Sequence, residues 1–173
     1  QGSLRVDAIV LTHRHTDHIG GAGSLSVATG APVFSTAVEK QPIEEALNEV
    51  RVGTAVVDGE TLDLGGTTLE FIHSPGHTMG SLCVYHREEG TLFTGDTILG
   101  SGTTVISPSQ GDMAAYMESL RKLLKYDARK ICPGHGPVIN NPKAKIDGLI
   151  QHRLDREGQI LSLLKEGHRT VDA

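Results

Sequence analysis

The sequence of 173 residues has few of the features that are typical of disulfide-rich, membrane-spanning or secreted proteins. Only two cysteines are present, Cys83 and Cys132, and their distance in sequence gives no paired-ligand spacing. The sequence therefore indicates reduced thiols rather than a disulfide scaffold. No apolar run approaches the roughly 20 residues of a membrane-spanning helix, and no segment resembles a secretory signal. We therefore expect a cytoplasmic protein that does not associate with membranes.

Basic residues are also in the minority. The chain has 16 Lys and Arg against 21 Asp and Glu, which gives a formal net charge of -5. This balance provides no general attraction to polyanions or to membrane surfaces, although a local basic patch is still compatible with it. The composition, 38% hydrophobic and 21% charged, suits one soluble globular domain with a sizeable core.

The first half of the chain is typical of short strands that alternate with helices. The runs "VDAIVL" (6–11) and "APVFS" (31–35) predict buried strands, the first of which delivers a polar loop from its end. Residues 36–50 are helical or irregular, and Pro42 should limit any continuous helix. From Val56 onward the pattern predicts two successive hairpins, "TLDL" with "TTLEFIH" and "SLCVYH" with "TLFTGD".

The second half predicts two helices separated by a strand. Apolar residues in 112–125 fall on one helical face, and Asp112 is a suitable N-cap. "KICPGHGPVI" (130–139) reads as a strand that runs into a turn. Asn141 and Pro142 then open a second helical pattern, which we expect Gly158 to interrupt. The polar motifs fall at strand ends, where ligands and catalytic groups are usually carried.

The densest of these motifs is "LTHRHTDHIGG" (11–21), which follows the first predicted strand. His13 and His15 are two residues apart, so their imidazoles project to one side of an extended segment, and Asp17 and His18 follow where the chain turns. These are ligand types that zinc accepts. One pair could contribute to one metal site and the next pair to a second, but four residues cannot complete two sites.

Three further residues supply the missing ligand types. They are His77 in "SPGHTMGS", Asp96 in "FTGDTILG" and His135 in "CPGHGPV". Each follows a predicted strand and has a neighbouring glycine that allows close backbone approach to a metal. The joint spacing of these seven residues makes unrelated polar loops a poor explanation.

The ordered set "HxHxDH", "PGHT", "TGD" and "GH" resembles the metallo-β-lactamase superfamily of hydrolases. The resemblance implies an α/β (α+β) fold, a four-layer αββα sandwich, and two divalent metal ions. It also implies that His13, His15 and His77 bind the first metal, that Asp17, His18 and His135 bind the second, and that Asp96 bridges both. Zinc is the expected metal, and manganese and iron accept the same ligands.

A narrower resemblance, to the β-lactamase-like protein 2 branch, is carried by "TGDTILGSGTTV", "YMESLRKLL", "PGHGPVI" and "HRLDREGQILSLL". Members of that branch look like dinuclear zinc hydrolases, including a single-strand-specific endoribonuclease, with a winged-helix module after the catalytic domain. The resemblance implies a catalytic domain at residues 1–157, incomplete because the strands that precede the first motif in the family are missing, and the beginning of a winged helix at 158–173. We accordingly expect the chain alone to be poorly soluble and weakly active.

The expected chemistry is hydrolysis by hydroxide formed from a water that bridges two metals, so that no serine or cysteine nucleophile is required. Asp17 is the candidate catalytic residue because it could orient the hydroxide and pass a proton to the leaving group. Candidate substrates are an ester, a thioester or a phosphodiester in single-stranded RNA. Two alternatives stay open: a glyoxalase II-like thioesterase or lactonase, and a non-catalytic module that binds metal or nucleic acid.

Other polar residues have ordinary explanations that compete with functional ones. His86, His152 and His168 read as core or surface residues, and His73 reads equally as support for a ligand or as a strand-end residue. Cys132 reads as a small buried residue. Turn formation explains Ser101, Thr103 and Thr104 as well as pocket lining does. A solvated helix face explains the basic cluster better than an RNA-facing patch does; its members are Arg121, Lys122, Lys125, Arg129 and Lys130.

Overall fold

The computed structural model describes residues 5–47 and 51–170. Parts of three predictions lie outside the described residues. They are the end of the 36–50 segment, the start of the first expected domain at residues 1–4 and the end of the second at residues 171–173. Within the described ranges, every helix is too short or too polar to cross a membrane.

The strands form two sheets in the described part of the chain. The first is parallel, in the order β1 (Ile9–Val10), β2 (Val33–Thr36) and β3 (Val52–Val56). The second contains β4 (Thr61–Asp63), β5 (Thr68–His73), β6 (Leu82–His86), β7 (Thr91–Gly95) and β8 (Lys130–Pro133). Its strands pair antiparallel except for β7 and β8, which are parallel.

Helices cover the outer face of each sheet. They are α1 (Thr16–Ile19), α2 (Ala22–Thr29), α3 (Ala37–Ala46), α4 (Met113–Leu123) and α5 (Pro142–Lys165). Two of them begin at side-chain caps: Asp112 accepts a hydrogen bond from the backbone N–H of Ala115 at 2.7 Å, and Asn141 accepts one from that of Ala144 at 3.2 Å. These caps pair N–H groups that have no partner within the helix.

Three apolar clusters show the order of the layers. One packs α1, α2 and α3 on the parallel sheet through residues such as Ile19, Val33 and Ile43. A second lies between the two sheets and includes Val56, Phe71 and Leu82. The third packs the other sheet against α4 and α5; its members include Ile72, Leu92, Tyr116, Leu120, Ile131 and Ile146. The layers therefore follow the expected order αββα.

Most of the predicted elements are confirmed. The two hairpins form β4 with β5 and β6 with β7, and the two C-terminal helices begin at their predicted caps. Side chains alternate between layers along a strand: Phe71 faces the middle cluster and Ile72 the outer one. The strand predicted over residues 6–11 is present but shorter, at Ile9–Val10.

Two expectations about helix breaks were wrong. Helix α3 continues through Pro42, and α5 continues through Gly158. Proline removes one intrahelical hydrogen bond, but α3 is held by Ile43, which is fully buried in the core next to it. Glycine lowers helix stability by about 1 kcal/mol without removing a hydrogen bond, so a long helix tolerates it. The expected domain boundary between residues 157 and 158 thus falls inside α5 and stays a prediction.

Candidate metal centre

All seven side chains predicted as ligands lie at one edge of the sandwich. His77, Asp96 and His135 follow the C-terminal ends of β5, β7 and β8, and these ends share an edge because the three strands run in the same direction. The loop after β1 reaches this edge through a hydrogen bond from the N–H of Leu82 to the carbonyl of Thr12, at 2.9 Å. The fold therefore brings four separate loops to one place.

The first group of ligand atoms belongs to three imidazoles. His15 Nδ1 lies 3.0 Å from His13 Nε2 and 3.0 Å from His77 Nε2. His13 and His77 are buried and His15 is half-buried. The three nitrogens lie within 4.8 Å of one another, a spacing that suits common coordination to one metal ion.

The outer nitrogens of two of these rings explain why the inner ones face each other. His77 Nδ1 donates to the carbonyl of Val105 at 2.8 Å, and His15 Nε2 donates to Oε1 of Gln110 at 2.8 Å. Because the outer nitrogens carry the protons, the inner nitrogens of neutral rings carry lone pairs. Two lone pairs 3.0 Å apart cannot hydrogen bond to each other, so in this tautomer the arrangement favours a cation that both nitrogens bind.

The second group combines two imidazoles with a carboxylate. His135 Nε2 lies 3.0 Å from Asp17 Oδ2 and 3.1 Å from His18 Nε2. The side chains of Asp17 and His135 are more than half exposed, whereas that of His18 is 12% exposed. This group therefore opens to solvent, unlike the first.

Asp96 lies between the two groups. Its Oδ1 is 3.3 Å from His18 Nε2 and 3.7 Å from His135 Nε2, and its Oδ2 is 3.8 Å from His77 Nε2. Oδ1 is buried and has no hydrogen-bond partner among the described residues. Because an unpaired buried carboxylate oxygen is costly, its position favours a bound cation.

The electrostatic environment keeps two of these side chains, His13 and Asp17, in the protonation state that binds metal. Burial lowers the pKa of His13 from 6.5 to about 2, and the neighbouring imidazoles of His18, His77 and His15 contribute to that shift in the same direction. The pKa of Asp17 is also lowered, first by a hydrogen bond from its own backbone N–H. A neutral imidazole and an ionised carboxylate are the forms that bind metal.

The buried neutral His13 makes the metal-free protein sensitive to acid. Below pH 6.5 the imidazole of the unfolded chain takes up a proton that folded His13 does not. The free energy of unfolding is therefore expected to fall progressively as the pH falls from 6.5 towards 2. Urea unfolding with a chelator present, at about pH 7.5 and about pH 5, measures this effect.

The matched variant for this experiment is His13→Gln, which keeps a polar side chain without a titrating ring. Its free energy of unfolding should depend less on pH over the same interval. An equal pH dependence in both proteins would contradict the assignment of the effect to His13.

The other residues that the sequence analysis considered for the site differ in whether they contact the ligands. Thr104 Oγ1 lies 3.2 Å from His77 Nδ1, whereas Ser101 and Thr103 are exposed. His73 donates to the carbonyl of Met79, in the loop that carries His77, at 3.0 Å. None of the potential metal-binding groups in the described ranges includes Cys132.

The basic cluster near α4 is largely paired with acidic side chains. Arg121, Lys122 and Lys130 form ion pairs with Glu118, Asp58 and Glu89. These pairs neutralise part of the charge that an RNA backbone would need. The interpretation as a solvated face therefore fits the structure better.

Sequence reasoning missed three residues that hold the ligands in place. Gln110 contacts His15, and Glu39 accepts hydrogen bonds from Arg14, which stands between two ligands. Arg14 belongs to the quoted motif, so its position was the one available signal. Glu39 and Gln110 lie far from the ligands in sequence, and nothing local distinguishes them from surface residues.

Comparisons with known proteins are consistent across sequence and structure. The model of the metallo-beta-lactamase superfamily matches residues 1–135. The chain is 38% identical over 165 residues to a beta-lactamase-like protein 2 homolog from Caenorhabditis elegans, covering 93% of this chain and 52% of the relative. It is 34% identical over 166 residues to an atrochrysone carboxyl ACP thioesterase from Aspergillus fumigatus, covering 96% and 50%. The chain spans about half the length of these curated relatives.

Solved structures give the same result. A metallo-beta-lactamase family protein from Thermus thermophilus superposes with a TM-score of 0.75 at 25% identity, covering 92% of this chain and 64% of that one. A protein solved in a di-iron-bound form superposes with a TM-score of 0.67 at 26% identity, covering 83% and 77%. Both alignments extend over most of the described chain.

Proposed function

This chain belongs to the metallo-beta-lactamase superfamily, and from that premise we propose that it is a metal-dependent hydrolase with two adjacent metal sites. The observation that carries the proposal is the position of Asp96. Its two carboxylate oxygens face different groups of ligands, His18 and His135 on one side and His77 on the other. A single carboxylate so placed can contribute to both sites.

The two sites use the seven predicted residues. The first takes His13, His15 and His77, the second takes Asp17, His18 and His135, and Asp96 contributes to each. When bound, two divalent ions, zinc in the first instance, would lower the pKa of water so that hydroxide is available at neutral pH and would polarise the bond under attack. The di-iron form of a structural relative supports two metals in this fold.

The chain's own groups fix and complete this arrangement. Gln110 and Val105 orient the rings of His15 and His77 through their outer nitrogens. Asp17 is 58% exposed, so a substrate that arrives from solvent reaches its carboxylate. An aspartate carboxylate is ionised at neutral pH and can accept a proton released by the nucleophile and deliver it to the leaving group, but the lowered pKa of Asp17 makes it a weak base, so its role as a metal ligand has the stronger support.

An ester or thioester is the first substrate class that we propose. A thioesterase is among the relatives, at 34% identity over nearly the whole chain. Single-stranded RNA is the second candidate, supported by the motif resemblance to the β-lactamase-like protein 2 branch and by a relative of that name. The pairing of the basic cluster on α4 gives the first class the stronger support.

The experiment that tests this function begins with metal content. The chain spans about half the length of its curated relatives, so the whole protein is used, and we expect it to bind two zinc ions per molecule at saturation, measured by elemental analysis after gel filtration. The zinc-loaded protein is then assayed on one thioester, one lactone and one single-stranded RNA of equal concentration. Hydrolysis should follow metal content and disappear when a chelator removes the metal.

Three results separate the alternatives. A reproducible single zinc at saturation would contradict the two-site assignment. Preferential cleavage of the RNA would reverse the order of the two substrate classes. Two tightly bound metals with no turnover of any substrate would favour a non-catalytic binding module.

A further inference from the structure

Glu39 is a fully buried carboxylate in the first turn of α3, outside the set of ligands described above. Its Oε2 accepts hydrogen bonds from the backbone N–H of Arg14 at 2.9 Å and from Arg14 Nε at 2.8 Å. Its Oε1 accepts from Arg14 Nη2 at 2.9 Å, from Thr78 Oγ1 at 2.9 Å and from the N–H of Gly80 at 3.1 Å. Both oxygens of this carboxylate therefore accept hydrogen bonds, and the donors belong to two loops.

Those two loops carry the ligands of the first metal site. Arg14 stands between His13 and His15, and Thr78 directly follows His77. The carboxylate thus connects two segments that are distant in sequence, since His15 and His77 are separated by 62 positions. Among the described residues, every hydrogen bond that the Glu39 carboxylate accepts comes from one of these loops.

The packing around Glu39 leaves little freedom for a different arrangement. A Cβ added at Gly80 would lie 2.4 Å from Glu39 Oε1 and 2.5 Å from Glu39 Cγ, so the loop backbone lies directly against the carboxylate. Thr36, which precedes α3, donates to the carbonyl of Gly80 at 2.7 Å. The start of α3 therefore contacts both the N–H and the carbonyl of Gly80, in the loop after His77.

A gain in stability alone does not explain this arrangement. A buried ion pair loses the hydration of both charges and is often no more stabilising than apolar residues of the same volume. Fixing a defined geometry is the better-supported use of such a group when its hydrogen bonds are all made. Here all of the bonds go to the loops that supply the ligands.

We propose that Glu39, with Arg14, is a positioning pair that sets the distance between the His13/His15 loop and the His77 loop, and so the geometry of the first metal site. This inference rests on the proposed function, because it assumes that the three imidazoles bind a metal. Neither side chain touches the substrate or the metal in this role. The pair acts through the backbone of the loops that carry the ligands.

The test is the affinity of zinc for Glu39→Gln, which keeps the shape of the side chain but replaces one acceptor oxygen with a donor. Bidentate pairing with Arg14 and the bonds from Thr78 and Gly80 cannot all persist. We expect the dissociation constant of the first site to rise by roughly 10- to 100-fold, as for other groups that orient metal ligands. Competition with a chelator measures this dissociation constant. The titration is repeated in a His135→Ala background, which lacks one ligand of the second site, so that the change can be assigned to the first site.

The matched control is Glu44→Gln in the same helix. Glu44 is partly buried, accepts a hydrogen bond from the N–H of Val52 and pairs with Lys40, and none of its contacts among the described residues is with a ligand loop. Its zinc affinity should stay at that of the unaltered protein. Equal affinity in both glutamine variants and the unaltered protein would overturn the proposal.

A second pair of variants decides the question if Glu39→Gln does not fold. Thr78→Val removes one hydrogen bond to Glu39 on the His77 side, and Thr78→Ser keeps the hydroxyl. We expect weaker zinc binding in the valine variant, a shifted cobalt(II) absorption spectrum, and recovery of both in the serine variant. Identical affinity and spectra in these two variants would overturn the proposal. If the unaltered protein binds no zinc, the proposed function itself fails, and the positioning role fails with it.

Discussion

Replacement of His13 or His135 by alanine is expected to reduce hydrolysis by at least about 100-fold, beyond the loss typical of residues that only orient a ligand. His13 supplies a nitrogen to the first group and also lies close to His18 and Asp96, whereas His135 supplies a nitrogen to the second group. A mechanism that needs both metals should therefore fail in either variant. Turnover of the best substrate and zinc content per chain are measured together.

His152→Ala is the control for these two variants. His152 lies on α5 in a groove beside Met113 and Met117 and belongs to none of the potential metal-binding groups in the described residues. The His152→Ala variant should therefore keep most of the hydrolytic activity and both metals. Equal loss in all three proteins would contradict the ligand assignment, provided that thermal unfolding shows them folded.

The two ligand variants also separate chemistry from stability. His13 is 1% exposed, so its removal leaves space in a packed region and is expected to lower stability. The side chain of His135 is 52% exposed, so its removal should change stability little. A loss of activity in His135→Ala without a change in unfolding temperature would assign the loss to chemistry.

The ligand residues could be identified from sequence because each lies in a short motif at the end of a strand. The spacing of His13, His15 and Asp17 is a local property, and a strand end predicts where such a loop emerges. The structure brings all seven together, while their roles as ligands stay a prediction. Which loops meet at one edge depends on the direction of β5, β7 and β8, which hydrophobic periodicity does not encode.

The positioning residues could not be found in the same way. Glu39 is one of several acidic residues in its helix, and only the folded chain shows that it is buried against Arg14. Gln110 is exposed and lies in an irregular loop, yet it fixes the ring of His15. Such contacts join residues distant in sequence, so periodicity and local motifs carry no record of them.

The fold was predictable where local chemistry and tertiary packing agree. The caps Asp112 and Asn141 mark helix starts correctly because their side chains bond to nearby N–H groups in the same helix. The breaks expected at Pro42 and Gly158 were wrong because a local preference of a few kcal/mol or less gives way to packing or to a long helix. Strand β3 was not predicted as a separate element, and its parallel pairing with β2 is a long-range contact.

Gly134→Ala is expected to disrupt the second group of ligands from a position that is not itself a ligand. The added Cβ would lie 2.7 Å from Asp96 Oδ1, 2.7 Å from His18 Cε1 and 3.2 Å from the carbonyl carbon of Gly95. Gly134 is not among the described glycines with positive φ, so the effect arises from space rather than from backbone strain. Asp96 and His18 must move, and a misplacement of about 1 Å can lower a rate by about 100-fold.

The measurements are zinc content, which should fall from two towards one per chain, and hydrolysis, which should fall by about 100-fold. Gly148→Ala in α5 is the matched control, because its added Cβ has nothing within 4 Å. That variant should keep both metals and gain up to about 1 kcal/mol in the free energy of unfolding, since alanine favours a helix over glycine. If Gly134→Ala also keeps two zinc ions and full turnover, the prediction is wrong, because Asp96 and His18 then make room for the added Cβ without loss of the second site.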